Sequence, residues 1–256
     1  MRHKYFGKLP ETLKTRLSVR IAGRGPDVVL IHGLGASSRY FTPLANIVAK
    51  KYRVIVPELP GHGKNLDDGR PVTVERFAHE VALAMRELEV ENAIVLGHSM
   101  GAQVAIELAR AWPDLVKHLI IAAPAVNDRE ATLVRQARRI IEDFQHELNS
   151  VKAILLVDYL RCGIPWWAKS CAQMLEYSTI EMLSTVRCSI DVVCGTRDPL
   201  SPQNSVFALL LKHRKPTSPS CAKGHMASTS PMHPSLRTSS TQCPKPLPTK
   251  LPLVSN

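Results

Sequence analysis

The pentapeptide Gly97-His98-Ser99-Met100-Gly101 restricts this chain more than any other stretch. Ala93-Ile94-Val95-Leu96 before it is an apolar run of strand length, and Ala102 to Trp112 after it carries helical spacing. Together they predict a strand, one sharp turn and a helix, with a serine at the turn. So abrupt a reversal strains the backbone. A Cβ at position 97 or 101 would crowd the neighbouring strand or helix, which is why glycine stands on both sides. The serine is raised above the carboxyl end of a sheet, where a base can reach its hydroxyl.

The surrounding pattern supplies that sheet. Leu17 to Ile21 alternates apolar and polar residues, as an edge strand does, and Gly23-Arg24-Gly25-Pro26-Asp27 is a turn cluster. Val28-Val29-Leu30-Ile31 is continuously apolar, the mark of a parallel strand covered on both faces, and it ends in His32-Gly33-Leu34-Gly35. A short helix is expected over Phe41 to Lys50 and a strand over Tyr52 to Pro57. Thr73 is an N-cap residue ahead of the stripe Phe77, Val81, Met85 and Leu88. Leu119 to Ala122 and Ile190 to Gly195 complete the strands. Strands alternating with helices at this spacing predict an α/β fold with a doubly wound, mostly parallel sheet.

From Val126 to about Thr185 the pattern turns helical. Leu133, Ala137, Ile140, Ile141, Phe144 and Leu148 form one stripe, and Ile154 to Leu160 and Cys171 to Leu183 suggest two further helices. Gly163-Ile164-Pro165-Trp166-Trp167 reads as a turn between them that carries paired tryptophans.

Over residues 15–211 these motifs, in this order, resemble the α/β-hydrolase superfamily, and within it the serine-nucleophile, esterase- or lipase-like members with a helical cap. The resemblance implies a hydrolase core at 12–125 and 186–225, a cap at 126–185 and a tail at 226–256. It implies Ser99 as nucleophile, Asp198 in Gly195-Thr196-Arg197-Asp198 as the acid, and the histidine of Gly224-His225 as the base, in the chain order this fold uses. It implies an oxyanion hole from the backbone N–H groups of Leu34 and Met100. Glu58-Leu59-Pro60-Gly61-His62-Gly63 matches a structural loop of the superfamily, with Glu58 in place of its aspartate and Asn65 in place of its serine, so no chemistry is assigned to His62. His32, Trp166 and Trp167 are candidate substrate contacts. The alternatives are a buried histidine holding its loop by hydrogen bonds and tryptophans that simply anchor the cap.

Such an enzyme transfers an acyl group through Ser99 with no cofactor and no metal, and a small-molecule ester or thioester is the expected substrate. Carbon–carbon bond hydrolysis and cofactor-free haloperoxidase-like chemistry occur on the same framework. Serine at position 99 argues against the dehalogenase and epoxide-hydrolase chemistries, which use aspartate there. A hydrolase-fold protein without activity, serving as a binding module or arising as a damaged product, is the reading from a different class.

The region around His225 motivates that second class. Lys215-Pro216-Thr217-Ser218-Pro219-Ser220-Cys221 stands where the eighth strand belongs, yet it has two prolines and no β-branched apolar residue. Beyond His225 a Ser/Thr/Pro/Lys mixture lacks the apolar surface needed to order itself. The C-terminal strand and helix are therefore expected to be degraded or disordered, and His233 is the fallback base. The net charge of +11 belongs largely to this part of the chain. From Lys212 onward there are 7 basic and no acidic residues, so 33 less 7 leaves 26 against 22 elsewhere, which is ordinary for an enzyme and no signature of nucleic-acid binding. No run approaches the eighteen apolar residues of a membrane span, and the N-terminus lacks a leader's apolar segment. Cysteines 162, 171, 188, 194, 221 and 243 show no metal-ligand spacing and read as reduced thiols of a cytoplasmic protein.

Overall fold

A computed structural model of the chain describes residues 17–65, 69–124 and 149–193. Among the described residues six strands form one sheet: β1 (Val19–Ala22), β2 (Asp27–Ile31), β3 (Arg53–Pro57), β4 (Ala93–His98), β5 (Val116–Ala122) and β6 (Ser189–Val193). Their spatial order is β1-β3-β2-β4-β5-β6. Of these six strands only β1 runs antiparallel, on β3, and their other pairings are parallel. β1 is thus the edge strand that its alternation predicts.

The period of two decides which side chain faces which layer. Val29 and Ile31 of β2 join Ile55, Val95, Leu119 and Ile121 in one core. That core is closed by α2 (Val74–Glu87) and α3 (Met100–Ala111). Val28 and Leu30 point the other way, with Val54, Val56 and Leu96, onto Phe41, Leu44 and Ala45. Those three belong to a 3₁₀ turn, Ser38–Phe41, and to α1 (Thr42–Val48), where one continuous helix from Phe41 was expected. The Ser37 hydroxyl accepts from the Arg39 N–H and starts the 3₁₀ turn early, and Pro43 sits in the first turn of α1.

α2 begins where its cap predicts: the Thr73 hydroxyl accepts from the Arg76 N–H at 3.1 Å. Phe77, Val81, Met85 and Leu88 are all buried. α3 lies close against the sheet because Ala102, Ala105 and Ala109 give it a narrow face, and all three are buried. A Cβ on Gly97 would fall 2.2 Å from the Gly101 carbonyl oxygen, and one on Gly101 would fall 2.2 Å from that of Ile31. β4 extends through Gly97 and His98, which pair with Ile121 and Ala122, so the turn expected over five residues is concentrated at Ser99.

Between β5 and β6 the described residues form α4 (Asn149–Cys162), α5 (Ile164–Glu176) and α6 (Thr179–Leu183). The paired tryptophans therefore open a helix instead of lying on a turn. Gly163 is its N-cap, and Pro165, whose fixed φ and missing N–H suit the first turn, follows. The helix expected over Cys171 to Leu183 is split at Tyr177-Ser178, where Tyr177 is extended. This insertion is seated on α3. The Gln103 amide donates to the Met174 carbonyl at 2.9 Å and to the Thr179 hydroxyl at 3.0 Å. The Tyr177 hydroxyl donates to the Glu107 carboxylate at 3.2 Å. The helix expected over 133–148 and the tail from 194 onward lie outside the described residues.

Phe77 is the largest side chain buried at the α2–sheet contact, whereas Ile164 is 83% exposed. Phe77→Ala is expected to lower the unfolding free energy by about 3–5 kcal/mol, and Ile164→Ala to change it by less than about 0.5 kcal/mol, in urea titrations followed by circular dichroism.

Candidate active site

Parallel order alone selects one edge of this sheet. After β2 the chain turns to β3 on one side and then crosses to β4 on the other, so the strand order reverses between β2 and β4. Open α/β sheets bind ligands at the carboxyl ends of strands flanking such a reversal. Ile31 pairs with Gly97 at that end, so the loop after β2 and the turn after β4 emerge side by side.

Ser99 occupies this position, half-buried, with φ 55° and ψ −120°. A non-glycine residue there carries about 1–3 kcal/mol of strain, which persists only where the surroundings over-determine it. Here the Ser99 N–H donates to the Ala122 carbonyl at 3.0 Å, and the Ser99 carbonyl accepts from the Ala102 N–H at 3.0 Å. Both bonds are made by the main chain, which leaves the hydroxyl out of the turn's own bonding.

The loop after β2 leans on this turn. A Cβ at Gly33 would lie 3.1 Å from the Ser99 Cβ and 3.2 Å from the His98 carbonyl oxygen. Leu34 and Met100 thus flank the serine. Among the described residues neither of their N–H groups is taken by an acceptor, as expected for Met100 in the first turn of a helix. Asp198 and His225, the acid and base implied by resemblance, lie outside the described residues, as does His233.

His32 lies beneath the site, fully buried. Its Nδ1–H donates to the Gly33 carbonyl at 2.9 Å, and its Nε2 accepts from the Leu59 N–H at 3.1 Å. Both ring nitrogens are therefore spent on backbone, tying the loop after β2 to the loop after β3. Burial lowers its pKa to about 4, a neighbouring His98 lowers it further, and the Gly33 bond opposes both. His62, at 5.3 Å from His32 ring to ring, donates from Nδ1 to the Pro60 carbonyl at 2.9 Å. Burial, and then the charge of His32, lowers its pKa to about 3. His98 stacks on Tyr40 at 5.2 Å, and burial lowers its pKa to about 4. All three imidazoles are neutral at pH 7.

The insertion contributes aromatic rings to the same loops. Gly35, with φ +73°, has the Tyr159 ring where its Cβ would be and the edge of Trp167 at 3.4 Å from that point. Gly61, with φ +72°, is covered in the same way by Trp166. Trp166 is buried and seals the loop after β3, while Trp167 is half-buried and touches the loop that holds Leu34. Glu58 accepts from the Ser38 hydroxyl at 2.9 Å and the Lys64 N–H at 3.0 Å, so this carboxylate binds the two loops together.

A second Ser–His–Asp grouping proves unrelated. His118 contacts the Ser189 hydroxyl at 2.6 Å and the Asp191 carboxylate at 3.0 Å across β5 and β6. His118 is level with Ile94, about 16 Å from Ser99 at strand rise, and Ser189 lies in a regular strand without a strained turn. Among the described residues no group of His, Cys, Asp and Glu could hold a metal ion, and no helix is long and apolar enough to cross a membrane. Burial pushes the Cys162 and Cys171 thiols up to about 11, which makes them poor nucleophiles.

A model of the Alpha/beta hydrolase family matches residues 28–229, a span that contains both loops, the serine turn and the helical insertion. The chain belongs to this family. Among sequence relatives, an uncharacterized protein of Mycobacterium tuberculosis is 32% identical over 119 residues, 46% of this chain and 35% of that protein. A pimeloyl-[acyl-carrier protein] methyl ester esterase of Methylococcus capsulatus is 33% identical over 138 residues, 50% of this chain and 52% of the esterase. The chain thus spans about a third to a half of the length of the curated relatives it matches. Among solved structures, an enol-lactonase from Burkholderia xenovorans LB400 superposes with a TM-score of 0.66 at 19% identity, covering 77% of this chain and 84% of the lactonase. A thermophilic esterase from Thermogutta terrifontis gives 0.64 at 22% identity, covering 77% and 80%. At these identities the two share the fold with this chain.

The buried histidines make stability depend on pH. The folded chain keeps His32 and His98 neutral down to about pH 4, while the unfolded chain protonates them near 6.5. Between those values the unfolded state binds more protons. Stability present above pH 6.5 is therefore lost as pH falls toward 4, by up to about 1.4 kcal/mol per pH unit for each histidine. Urea midpoints at pH 7, 5.5 and 4.5 are expected to fall in that order, and less steeply in His32→Gln.

Proposed function

We propose that the chain is a serine hydrolase that cleaves a small-molecule ester or thioester through an acyl-enzyme on Ser99. The observation that carries this is the position of Ser99: a strained turn at the strand-order reversal, flanked by two backbone N–H groups that no described acceptor takes. The relatives support the class, since one is named a methyl ester esterase, another, from Mesorhizobium japonicum, a 2-(acetamidomethylene)succinate hydrolase, and a structural neighbour an enol-lactonase. A lactone is a cyclic ester and needs the same chemistry.

In this mechanism the Ser99 oxygen bonds to the substrate carbonyl carbon while His225 takes the hydroxyl proton. The carbonyl π electrons move onto oxygen, and the N–H groups of Leu34 and Met100 meet that charge, each contributing about 3 kcal/mol to the transition state. Collapse breaks the bond to the alcohol or thiol, which leaves with the proton from His225. Water then repeats the sequence on the acyl-enzyme and releases the acid. Asp198 holds the His225 tautomer and stabilises its imidazolium form. The helices from 149 to 183 act as the cap, with Trp167 and Tyr159 on the acyl-binding side and Trp166 as its anchor.

The reading as a binding module, or as a damaged product, rests on the proline-rich stretch Lys215 to Cys221 ahead of His225. Hydrolysis of p-nitrophenyl butyrate separates the two. The expected outcome is turnover by the wild type, loss of at least about 10³-fold in Ser99→Ala and His225→Ala, and fluorophosphonate labelling abolished in Ser99→Ala and strongly slowed in His225→Ala. A folded wild type with neither turnover nor labelling would establish the binding module or damaged product instead.

A further inference from the structure

Asp158 is a carboxylate with no exposure to solvent, set in the apolar run Ile154-Leu155-Leu156-Val157-Asp158-Tyr159-Leu160 of α4. Burying a charge is costly unless it is paired and hydrogen-bonded, so such a group is there for a reason that packing does not supply. Both its oxygens are engaged by one short segment of the core. Oδ2 accepts from the Ser37 hydroxyl at 2.5 Å, and Oδ1 accepts from the Arg39 guanidinium. Ser37 is also the N-cap of the 3₁₀ turn, where its hydroxyl accepts from the Arg39 N–H at 3.3 Å. The neighbours of Asp158 on the same helix face bear on the same segment: Leu155 packs with Ala36, and the Tyr159 ring covers Gly35.

Residues 155, 158 and 159 therefore clasp residues 35–39, the continuation of the loop that holds the Leu34 N–H. We infer that Asp158 is a positioning residue: through Ser37 and Arg39 it fixes the loop from Gly33 to Arg39, and with it the Leu34 N–H, relative to Ser99. The contact joins residues more than a hundred positions apart, so it forms only when the helical insertion is docked. Docking of the insertion and assembly of the oxyanion hole are then one event. The insertion serves transition-state stabilisation as well as enclosure. This rests on the proposed acyl transfer at Ser99 for its catalytic consequence, but not for the anchoring itself.

The test combines hydrogen exchange, read on peptides covering 33–41, with steady-state hydrolysis of p-nitrophenyl butyrate. Asp158→Ala is expected to speed exchange across 33–39 by about tenfold or more while β3 and β4 exchange as in the wild type. It should lower kcat by about tenfold or more with KM within about twofold, because a misplaced donor weakens only transition-state contacts. Asp158→Asn, which keeps the shape and an acceptor for Ser37, should fall between, and it carries the comparison if Asp158→Ala does not fold. Arg39→Ala with Asp158→Ala should be no slower than Asp158→Ala alone. Leu156→Ala, on the exposed side of α4, should match the wild type in both measurements. Unchanged exchange over 33–39 would overturn the proposal, as would a rise in KM at constant kcat, which would make Asp158 a substrate contact. If the wild type does not turn over, the acyl-transfer reading fails, and the exchange result alone decides the anchor.

Discussion

The parallel ladder between β2 and β4 is the constraint on which the site depends. It places Ile31 beside Gly97 and so brings the ends of two strands, separated by more than sixty residues of chain, out at one edge. The close approach of α3 to that ladder is possible only because positions 97 and 101 lack a Cβ; either added carbon would collide with backbone that cannot yield. With α3 pressed against the sheet, the loop after β2 comes to lie directly beside Ser99. The strain at Ser99 follows from the same closeness, since strand and helix leave one residue in which to reverse direction.

Around this edge the fold spends buried polar groups on holding loops. His32 spans the loops after β2 and β3 with one bond from each ring nitrogen, and Glu58 joins the same two loops through Ser38 and the Lys64 N–H. Asp158 adds a third tie from the insertion. Each is a satisfied polar group in a low-dielectric surrounding, where a hydrogen bond is strong and an unmade one is expensive. Such groups specify one arrangement of the two loops and the insertion's first described helix that apolar packing alone would leave free to slide. The neutral state of His32 belongs to this scheme, for a protonated ring could not accept from Leu59.

The serine turn, the continuous strand Val28 to Ile31 and the α2 stripe were legible because each is a local signal with one geometric solution. Glycines flanking a serine after an apolar run, four apolar residues in succession, and apolar residues three and four apart each select a backbone. The insertion was less legible for an equally physical reason. α4 is apolar on both sides, with Leu155 buried and Leu156, Val157 and Leu160 turned outward, so periodicity does not say which face meets the core. The one signal that could have singled out Asp158 is its isolation as a charge in that run. Gly163 and Pro165 punctuate loops as well as helix starts, so the sequence alone places Trp166 and Trp167 on a turn where the fold has a helix.

By itself the sequence determined the family, the strained serine turn and the alternation of layers, since these rest on backbone geometry dictated within a few neighbouring residues. Only the tertiary structure decided what each buried side chain does. Whether His32 serves a ligand or a loop, and whether Asp158 faces water or Ser37, depends on which group stands opposite, and those partners come from strands and helices far apart in the chain. A polar side chain's role is set by its partner, and pairing across such distances is written in the packing of the sheet rather than in any local stretch of residues.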